Sequence, residues 1–398
     1  MTLLLAGLTA LGVAAASGLP GDDELVGGGA RRVSVDASKN AVFGLDWRRP
    51  VVRTGVFRTV ATSFGAPVVS ETHRLIVIGS GGGDVLALSL ADGTLRWRYR
   101  HGAPFIGTAV LAKLAGDDVE AELVVLGSLD SSLLAIDVGT GALLWRAELD
   151  GAVRAPARVL GTRLLVTTSN NKLVLLDGLT GNRLWSKGRA APSGLTVDGN
   201  AAALAVGGRV YATYADGYAE AYRLEDGSLV WSRPLSISGA KFIDADADPV
   251  LADGRLYVAA YADGVFALNP EDGQTLWSRN APAVVSLGTY EDILVAASAD
   301  GWVWGFATED GRLAYRTRFK AGAVSRLAIH DRLMVLSAGD YGLVVLDAAT
   351  GKPLQSLSLG SAFAGDPAWD GDHVALLSSA GYLYAFERRR QDGPFASK

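Results

Sequence analysis

A glycine followed four residues later by an aromatic ring recurs along most of this 398-residue chain. The marker occurs at Gly93/Trp97, Gly141/Trp145, Gly181/Trp185, Gly227/Trp231, Gly273/Trp277 and Gly311/Tyr315. A seventh unit keeps the glycine, Gly351, but has Gln355 where the ring should stand. Successive glycines are spaced by 48, 40, 46, 46, 38 and 40 residues. Repeats of that length, each holding several short strands, indicate a β-propeller.

Each marker follows short apolar runs separated by turn residues. In residues 252–277, ADGRLYVAAYADGVFALNPEDGQTLW, Asp-Gly turns separate runs rich in Val, Leu, Tyr and Phe, which is typical of a strand meander. The last apolar strand, around Tyr382, has no marker after it, and an aromatic strand around Trp47 lies unassigned near the other end. We therefore predict an all-β fold, an eight-bladed β-propeller of four-stranded antiparallel blades whose last blade is closed by the N-terminal strand.

The ends of the chain differ from the repeats. Residues 3–16 are apolar and uncharged, too short for a membrane span and typical of a secretory signal, although no basic residue precedes them. A disordered or buried N-terminal helix is the alternative. The predicted organisation is a signal peptide at 1–17, a flexible linker at 18–40, the propeller at 41–390 and a polar tail at 391–398.

Composition argues against several kinds of chemistry. The chain has no cysteine, so it has no disulfide, thiolate nucleophile, thiol metal site or lipid-modified N-terminal cysteine. A net charge of −5 gives no reason to expect nucleic acid as a partner. The four histidines (His73, His101, His330 and His373) lack metal-ligand spacing, and we expect them to be solvated near turns. We predict no catalytic residue, no metal ligand and no cofactor.

The acidic segment Asp244-Ala-Asp246-Ala-Asp248 is the most distinctive motif outside the repeats. It resembles the opening of a calcium loop, but Pro249 and Arg255 stand where such a loop needs glycine and glutamate. An acidic inter-blade loop and a protein-docking loop remain as interpretations. Three acids in five residues repel one another, which favours a docking role.

The repeat itself resembles the quinoprotein-type, tryptophan-docked propeller repeat. The resemblance implies that one ring per unit packs between adjacent blades, namely Trp97, Trp145, Trp185, Trp231, Trp277, Tyr315 and Trp47. Dehydrogenases with this repeat hold pyrroloquinoline quinone and calcium in the central channel, with an acidic base and typically a vicinal disulfide. The absence of cysteine and of an evident catalytic aspartate argues against that branch.

A second resemblance, to the BamB-like propeller family of the outer-membrane β-barrel assembly machinery, covers about Val42 to Arg388. Residues 244–251 match the family's Asp-x-Asp-x-x-Pro-Val-Val segment, and residues 193–202 resemble a family loop. The resemblance implies that docking of a BamA-like, barrel-forming subunit involves Leu195, Val197, Asp198, Asp244 and Asp246. Asp198 stands where the family has arginine, which reverses a charge, and the family's lipid-modified cysteine is absent.

These observations predict a non-catalytic exported scaffold. It would be periplasmic, associated with the outer membrane through its partner, and would receive unfolded outer-membrane proteins as clients. Aliphatic loop residues flanked by carboxylates can form a small apolar core with a charged rim, which suits protein docking. Burial of Leu195 and Val197 within a blade is the structural alternative. The functional alternative is a quinone-binding dehydrogenase or a ligand-sensing propeller that uses the central channel.

Overall fold

A computed structural model describes the chain over residues 31–32, 42–51, 65–115, 120–190, 201–235, 245, 247–319, 324, 326–338, 342–358 and 365–389. Within these ranges the secondary structure consists of β-strands joined by turns. The strands form eight sheets, seven with four strands and one with a fifth strand added at its edge.

Each sheet is one blade of a ring. Two strands precede the first complete meander, β1 (Arg31–Arg32) and β2 (Phe43–Pro50). From inner to outer strand, blades 1 and 2 consist of β3 (Val68–Ser70), β4 (Leu75–Gly79), β5 (Asp84–Ser89), β6 (Leu95–Arg100) and β7 (Val110–Ala115), β8 (Glu120–Gly127), β9 (Ser132–Asp137), β10 (Leu143–Glu148). Blades 3 and 4 consist of β11 (Arg158–Leu160), β12 (Arg163–Thr168), β13 (Lys172–Asp177), β14 (Arg183–Gly188) and β15 (Leu204–Val206), β16 (Arg209–Thr213), β17 (Tyr218–Arg223), β18 (Leu229–Pro234).

The second half of the ring continues the same order. Blades 5 and 6 consist of β19 (Val250–Ala252), β20 (Arg255–Ala260), β21 (Gly264–Leu268), β22 (Thr275–Arg279) and β23 (Val284–Tyr290), β24 (Ile293–Ser298), β25 (Trp302–Ala307), β26 (Leu313–Arg318). Blades 7 and 8 consist of β27 (Ala328–His330), β28 (Leu333–Ala338), β29 (Gly342–Asp347), β30 (Pro353–Leu357) and β31 (Ala368–Asp370), β32 (His373–Leu377), β33 (Tyr382–Arg388), β2.

Blade 8 closes the ring by joining the two ends of the chain. Strand β2 pairs antiparallel with β33, so that Trp47 lies opposite Ala385 and Pro50 lies opposite Tyr382. This confirms the predicted eight-bladed propeller closed by its N-terminal strand. The added fifth strand was not predicted: β1 pairs in parallel with β26, the outer strand of blade 6.

The core lies between the blades. The second and third strands of a blade are covered by neighbouring blades on both faces, so their sequences are nearly continuous apolar runs. In β28 and β29, for example, every residue is buried. Outer strands are covered less: in β10 four of the six residues are exposed, and Trp145 is the one that is buried. The packing between adjacent blades therefore follows from the apolar middle strands.

Every outer strand carries a β-bulge at the residue just before the ring position. The bulged residues are Asp46, Arg96, Leu144, Leu184, Val230, Leu276, Ala314 and Leu354. A bulge bends the strand and redirects the next side chain. In seven outer strands the redirected side chain is the ring, which contacts the next blade, and in β30 it is Gln355.

Seven rings each donate one hydrogen bond to a backbone carbonyl of the following blade. The pairs are Trp47–Leu90 (2.8 Å), Trp97–Val138 (2.8 Å), Trp145–Gly178 (2.8 Å), Trp185–Leu224 (3.0 Å), Trp231–Pro270 (2.9 Å), Trp277–Thr308 (3.2 Å) and Tyr315–Ala348 (2.7 Å). Each ring also covers the marker glycine of that blade. At Gly181, for example, φ is 74° and an added Cβ would lie 2.6 Å from Cε3 of Trp145, so both backbone conformation and space require glycine.

The junction from blade 7 to blade 8 replaces the ring with an amide. The backbone N–H of Phe43 donates to Oε1 of Gln355 (2.8 Å), and Nε2 of Gln355 donates to the carbonyl of Phe43 (2.7 Å). Blade 8 has its two chain ends where the other blades have the glycine turn, because β33 and β2 are not consecutive. A buried glutamine therefore satisfies the backbone of the closing strand where no turn carbonyl exists for a ring to reach.

The turns and connections define two faces of the ring. The connection face carries the segments that run from the outer strand of one blade to the inner strand of the next, such as residues 101–109 and 280–283. The turn face carries the turns between third and fourth strands, such as residues 178–182 and 269–274. Inner strands begin at the connection face, so their first residues surround the mouth of the central channel.

Candidate functional site

The five predicted docking residues lie outside the described residues. These are Leu195, Val197, Asp198, Asp244 and Asp246. They belong to two segments, which we call the first docking segment (191–200) and the second docking segment (236–246). The described strands show that the chain leaves blade 3 and enters blade 4 on the connection face, and that it does the same between blades 4 and 5. The docking roles of the five residues stay predictions.

Asp248, the third acid of the acidic segment, lies at the centre of an ion-pair network. Its Oδ2 lies 2.7 Å from Nη2 of Arg158, and Nη1 of Arg326 lies 2.9 and 3.0 Å from its two carboxylate oxygens. The backbone N–H of Ala202 donates to Oδ1 of Asp248 at 2.7 Å. One carboxylate thus joins three other parts of the chain.

The two arginines that pair with Asp248 come from blades that are not adjacent to blade 5. Arg158 begins the inner strand of blade 3, Asp248 precedes that of blade 5, and Arg326 precedes that of blade 7. Blades 3 and 7 lie opposite each other in a ring of eight. The network continues from Nε of Arg326 to Asp366 (3.7 Å), which accepts a hydrogen bond from the hydroxyl of Thr108 (3.1 Å). We call these five residues the channel network.

The channel network is electrically balanced. Its two arginines and two aspartates carry opposite formal charges in equal number, and Asp248 and Asp366 retain only 20% and 23% side-chain exposure. Burial raises the pKa of Asp366 above its usual value, and Asp248 adds to this, although Arg326 and Thr108 act in the opposite direction. The network therefore consists of partly desolvated charges that depend on one another.

A second cluster lies just before the first docking segment in the chain. Arg189 contacts Asp216 through Nε and Glu220 through Nη1, both at 2.6 Å, and its guanidinium lies 3.7 Å from the centre of the Tyr218 ring. Glu220 is almost fully buried and also accepts a hydrogen bond from Ser232 at 2.7 Å. Because this buried carboxylate is fully partnered, Arg189 is held firmly.

Two cavities border these clusters. One of about 360 Å³ opens between the inner strands of blades 1, 2 and 8, beside Thr108 and Asp366, and is also lined by Lys113 and Trp369. Another of about 490 Å³ lies between blades 3 and 4, beside Arg189 and Glu220. The clusters thus line the channel mouth and a cleft between two blades.

Neither metal ligation nor a membrane-spanning helix emerges from the residues that the structure describes. Among them, no group of three or more His, Asp or Glu side chains could hold a metal ion. The same residues contain no helix that is long and apolar enough to cross a membrane. The expectation that the histidines are solvated is wrong for His101, whose side chain is 3% exposed because it packs beside Phe105 and pairs with Asp130 at 3.0 Å.

The described channel residues do not fit a quinone–calcium pair. Calcium is bound by oxygen ligands, chiefly carboxylates. At the channel mouth Asp248 and Asp366 are already paired with arginines. Recruiting either carboxylate to calcium would leave the guanidinium groups uncompensated in a partly buried place, which is costly.

The fold and the inter-blade rings define the class of protein, an eight-bladed propeller of tryptophan-docked repeats. A sequence model of the family described as "Outer membrane protein assembly factor BamB" matches residues 112–283, 236–325 and 299–393. The chain belongs to this family. No curated protein matches it in a sequence search.

Solved structures agree with this fold. BamB from Moraxella catarrhalis superposes with a TM-score of 0.72 at 19% identity, covering 87% of this chain and 100% of that one. The computationally designed protein Ika8 gives 0.65 at 17% identity, with 82% and 100% covered. The quinohemoprotein alcohol dehydrogenase ADHIIG from Pseudomonas putida HK5 gives 0.65 at 11% identity, with 93% and 80% covered. At these identities the likeness concerns the fold.

Sequence reasoning missed the channel network, although one signal pointed to it. Asp248 and Asp366 each stand directly before a proline, Pro249 and Pro367, that leads into an inner strand. A charged residue at that position lies at the channel mouth, where inner strands begin. In the sequence Asp248 stands out only as part of an acidic run, and no motif singles out the other members.

Proposed function

We propose that this chain is a non-catalytic, exported scaffold of the outer-membrane β-barrel assembly machinery. Its connection face docks the periplasmic domains of a BamA-like, barrel-forming subunit. The protein works in the periplasm and associates with the outer membrane through that partner. Unfolded outer-membrane proteins are its clients.

The observation that supports this proposal, beside family membership, is a contact between described residues that follow the two docking segments in the chain. Both segments connect neighbouring blades, and the N–H of Ala202, after the first segment, donates to Asp248, after the second. Leu195 and Val197 would supply an apolar contact, and Asp244 and Asp246 a charged rim. Such carboxylates steer and orient a basic partner more than they add affinity.

Clients would bind by strand pairing at the outer edges of the blades. An outer strand presents unpaired backbone groups that an extended peptide can use. The outer edge of β26 already accepts β1 in a parallel arrangement. This pairing supports edge addition as the mode of client binding.

The test is co-purification with the barrel-forming subunit. Reversing the two charges in Asp244→Arg/Asp246→Arg should weaken binding by about tenfold or more, since charges opposite a matched patch then repel. The matched control is Glu225→Arg/Glu309→Arg, which makes the same charge change at exposed positions near the turn face. Equal binding by both double variants would contradict docking through the connection face.

The dehydrogenase alternative has its own test, since ADHIIG shares the fold. Purified protein is incubated with pyrroloquinoline quinone and calcium, and binding and dye-linked alcohol oxidation are measured. We expect neither stoichiometric binding nor turnover. Either result would overturn the non-catalytic assignment.

A further inference from the structure

We propose that the outer edge of blade 1, strand β6, binds extended segments that carry acidic side chains at alternate positions. The proposal rests on the proposed function only where these segments are identified with the strands of outer-membrane clients. One outer edge of the ring is thereby the site, and its charges determine what it recognises. All the residues that form it belong to the described ranges.

The outer strands carry mostly positive charge, although the whole chain has a net charge of −5. Together the eight outer strands contain twelve arginines or lysines and two acidic residues. The most basic is β6, with Arg96, Arg98 and Arg100 and no acidic residue. Charges of either sign protect an edge strand from aggregation. Charges of one sign also select a partner, because the same edge of a second copy is repelled and an acidic strand is attracted.

Two of these arginines hold the backbone groups that point away from blade 1. Among the described strands β6 is the last in its sheet, and it pairs with β5 without a shift from Trp97 to Arg100. The N–H of His101 donates to the carbonyl of Gly83 at 2.9 Å, so the backbone of His101 faces β5. Because hydrogen-bonding direction alternates along an antiparallel strand, the N–H and C=O groups of Arg98 and Arg100 face outward. An added strand would pair with these two residues.

The side chains of Arg98 and Arg100 project from one face of blade 1, towards blade 8. Arg98 lies opposite Leu86 in the pairing register, and Leu86 packs with Trp47 of blade 8. Both arginines are exposed. The carboxylate of Asp84 on β5 lies 3.8 Å from Nε of Arg98, which is too long for a hydrogen bond. One partly exposed carboxylate thus accompanies two guanidinium groups, and the excess positive charge is open to a partner.

This geometry sets the pattern of the bound segment. Residues of an added strand that lie opposite Arg98 and Arg100 are two positions apart and project from the same face. Acidic side chains there form cross-strand pairs with the guanidinium groups. The residue between them projects from the other face, beside the half-buried Tyr99, where an apolar side chain fits. Alternation of polar and apolar residues is also the pattern of outer-membrane barrel strands, the clients of the proposed function.

Two other blades provide internal comparisons. In blade 5 the positions that correspond to Arg98 and Arg100 are Ser278 and Asn280, so that edge lacks the charges. Blade 6 has arginine at both positions, Arg316 and Arg318, and β1 already pairs with its outer edge. Strand β1 is itself basic and only two residues long. Its pairing shows that an edge of this geometry accepts a strand, whereas the preference for acidic residues follows from charge alone.

The test is a binding titration with the full-length protein. The probe is a fluorescein-labelled peptide of alternating glutamate and valine, about ten residues long like one barrel strand, and its anisotropy is measured. Arg98→Ser/Arg100→Asn, which copies blade 5, should weaken binding about fivefold to tenfold, because two cross-strand charge pairs are lost. Arg98→Lys/Arg100→Lys should retain most of the affinity. The matched control, Arg316→Ser/Arg318→Asn, makes the same charge change on an occupied edge and should not alter binding.

Two further peptides separate strand pairing from charge attraction. A peptide with lysine in place of glutamate should not bind, and neither should a glutamate peptide methylated on the glutamate backbone nitrogens, which keeps the charge but cannot donate to β6. Equal binding of either peptide, or an unchanged affinity in Arg98→Ser/Arg100→Asn, overturns the inference. Sedimentation with phosphatidylglycerol vesicles through these arginines, without peptide binding, would make the edge a membrane contact and also overturn it.

The outcomes distinguish this inference from the proposed function. A protein that co-purifies with the barrel-forming subunit but does not bind the glutamate peptide overturns the inference alone. Peptide binding that depends on Arg98 and Arg100, in a protein that does not co-purify with that subunit, supports the inference and overturns only the proposed function. Slower hydrogen exchange at residues 98–100 in the presence of the peptide would locate the bound strand at β6.

Discussion

The outer strands and the channel mouth hold the same ring together in different ways. At the outer strands one contact, a ring donating to a carbonyl and covering a glycine, joins successive blades seven times. At the channel mouth a single network of unlike residues joins blades 2, 3, 5, 7 and 8. Closure of the ring is thus specified by a repeated local contact, whereas the geometry of one face is specified once.

The two regions also differ in the forces involved. A buried tryptophan removes a large apolar area from water and satisfies its N–H at the same time. The channel network consists of charges that have lost part of their hydration, so its net contribution to the free energy of unfolding is small. Substitutions at the outer strands should therefore lower stability, and substitutions at the channel mouth should chiefly change geometry and the response to pH.

The largest effect is expected for Trp145→Ala. Removing this buried ring and its hydrogen bond to Gly178 should lower the free energy of unfolding by about 3–5 kcal/mol. Denaturant titration followed by circular dichroism measures the change. A loss below about 1 kcal/mol, the range of exposed substitutions, would contradict a dominant role for the rings.

A double-mutant cycle sharpens this prediction. Gly181→Ala is unfavourable both because φ is 74° and because the new methyl would meet Trp145 at 2.6 Å. In the Trp145→Ala background only the conformational cost of about 1–2 kcal/mol should remain. Additive effects of the two substitutions would show that ring and glycine act independently.

The repeated region was the predictable part of the fold. Asp-Gly turns, apolar runs and the glycine–ring spacing recur along the chain, so they predicted eight blades and closure by β2, both confirmed by the structure. The bulge before each ring escaped prediction because its signal is a register shift between strands, which residue types do not display. The role of Gln355 also depends on a tertiary fact, that blade 8 contains the chain ends.

The channel network could not be predicted in full because the only pattern that recurs in it is an aspartate before a proline, at Asp248 and Asp366. Three of its contacts join residues 78, 90 and 258 positions apart, and only five of the eight blades contribute a member. Periodic patterns show that inner strands meet around a channel, but not which side chains pair across it. The five docking residues were derived from a resemblance alone and remain predictions.

The next largest effect is expected at the junction that lacks a ring. Gln355→Ala should lower the free energy of unfolding by about 2–3 kcal/mol, because the N–H and carbonyl of Phe43 lose buried partners. The loss should localise to blade 8, so hydrogen exchange of residues 43–50 should accelerate. The exposed Gln274→Ala is the matched control and should have little effect. Unchanged exchange in β2 would show that Gln355 does not retain the closing strand.

The smallest effect on stability, and the clearest effect on its pH dependence, is expected for Asp366→Asn. Burial raises the folded-state pKa of Asp366 above the unfolded value of 3.8, so the folded protein binds this proton more tightly than the unfolded chain. The contribution of Asp366 to stability therefore falls as pH rises from 3.8 through the folded-state pKa, and is constant above it. The amide cannot titrate, so the variant should lack this decline.

At neutral pH the same substitution should change the free energy of unfolding by less than about 1 kcal/mol, because loss of a partly desolvated charge offsets loss of the pair with Arg326. Denaturant midpoints of both proteins between about pH 4 and 8 measure the two effects together. Parallel pH profiles would remove Asp366 as the titrating group. A loss as large as that of Trp145→Ala would mean that the channel mouth stabilises the ring as strongly as the outer strands do, and the distinction between the two regions would not hold.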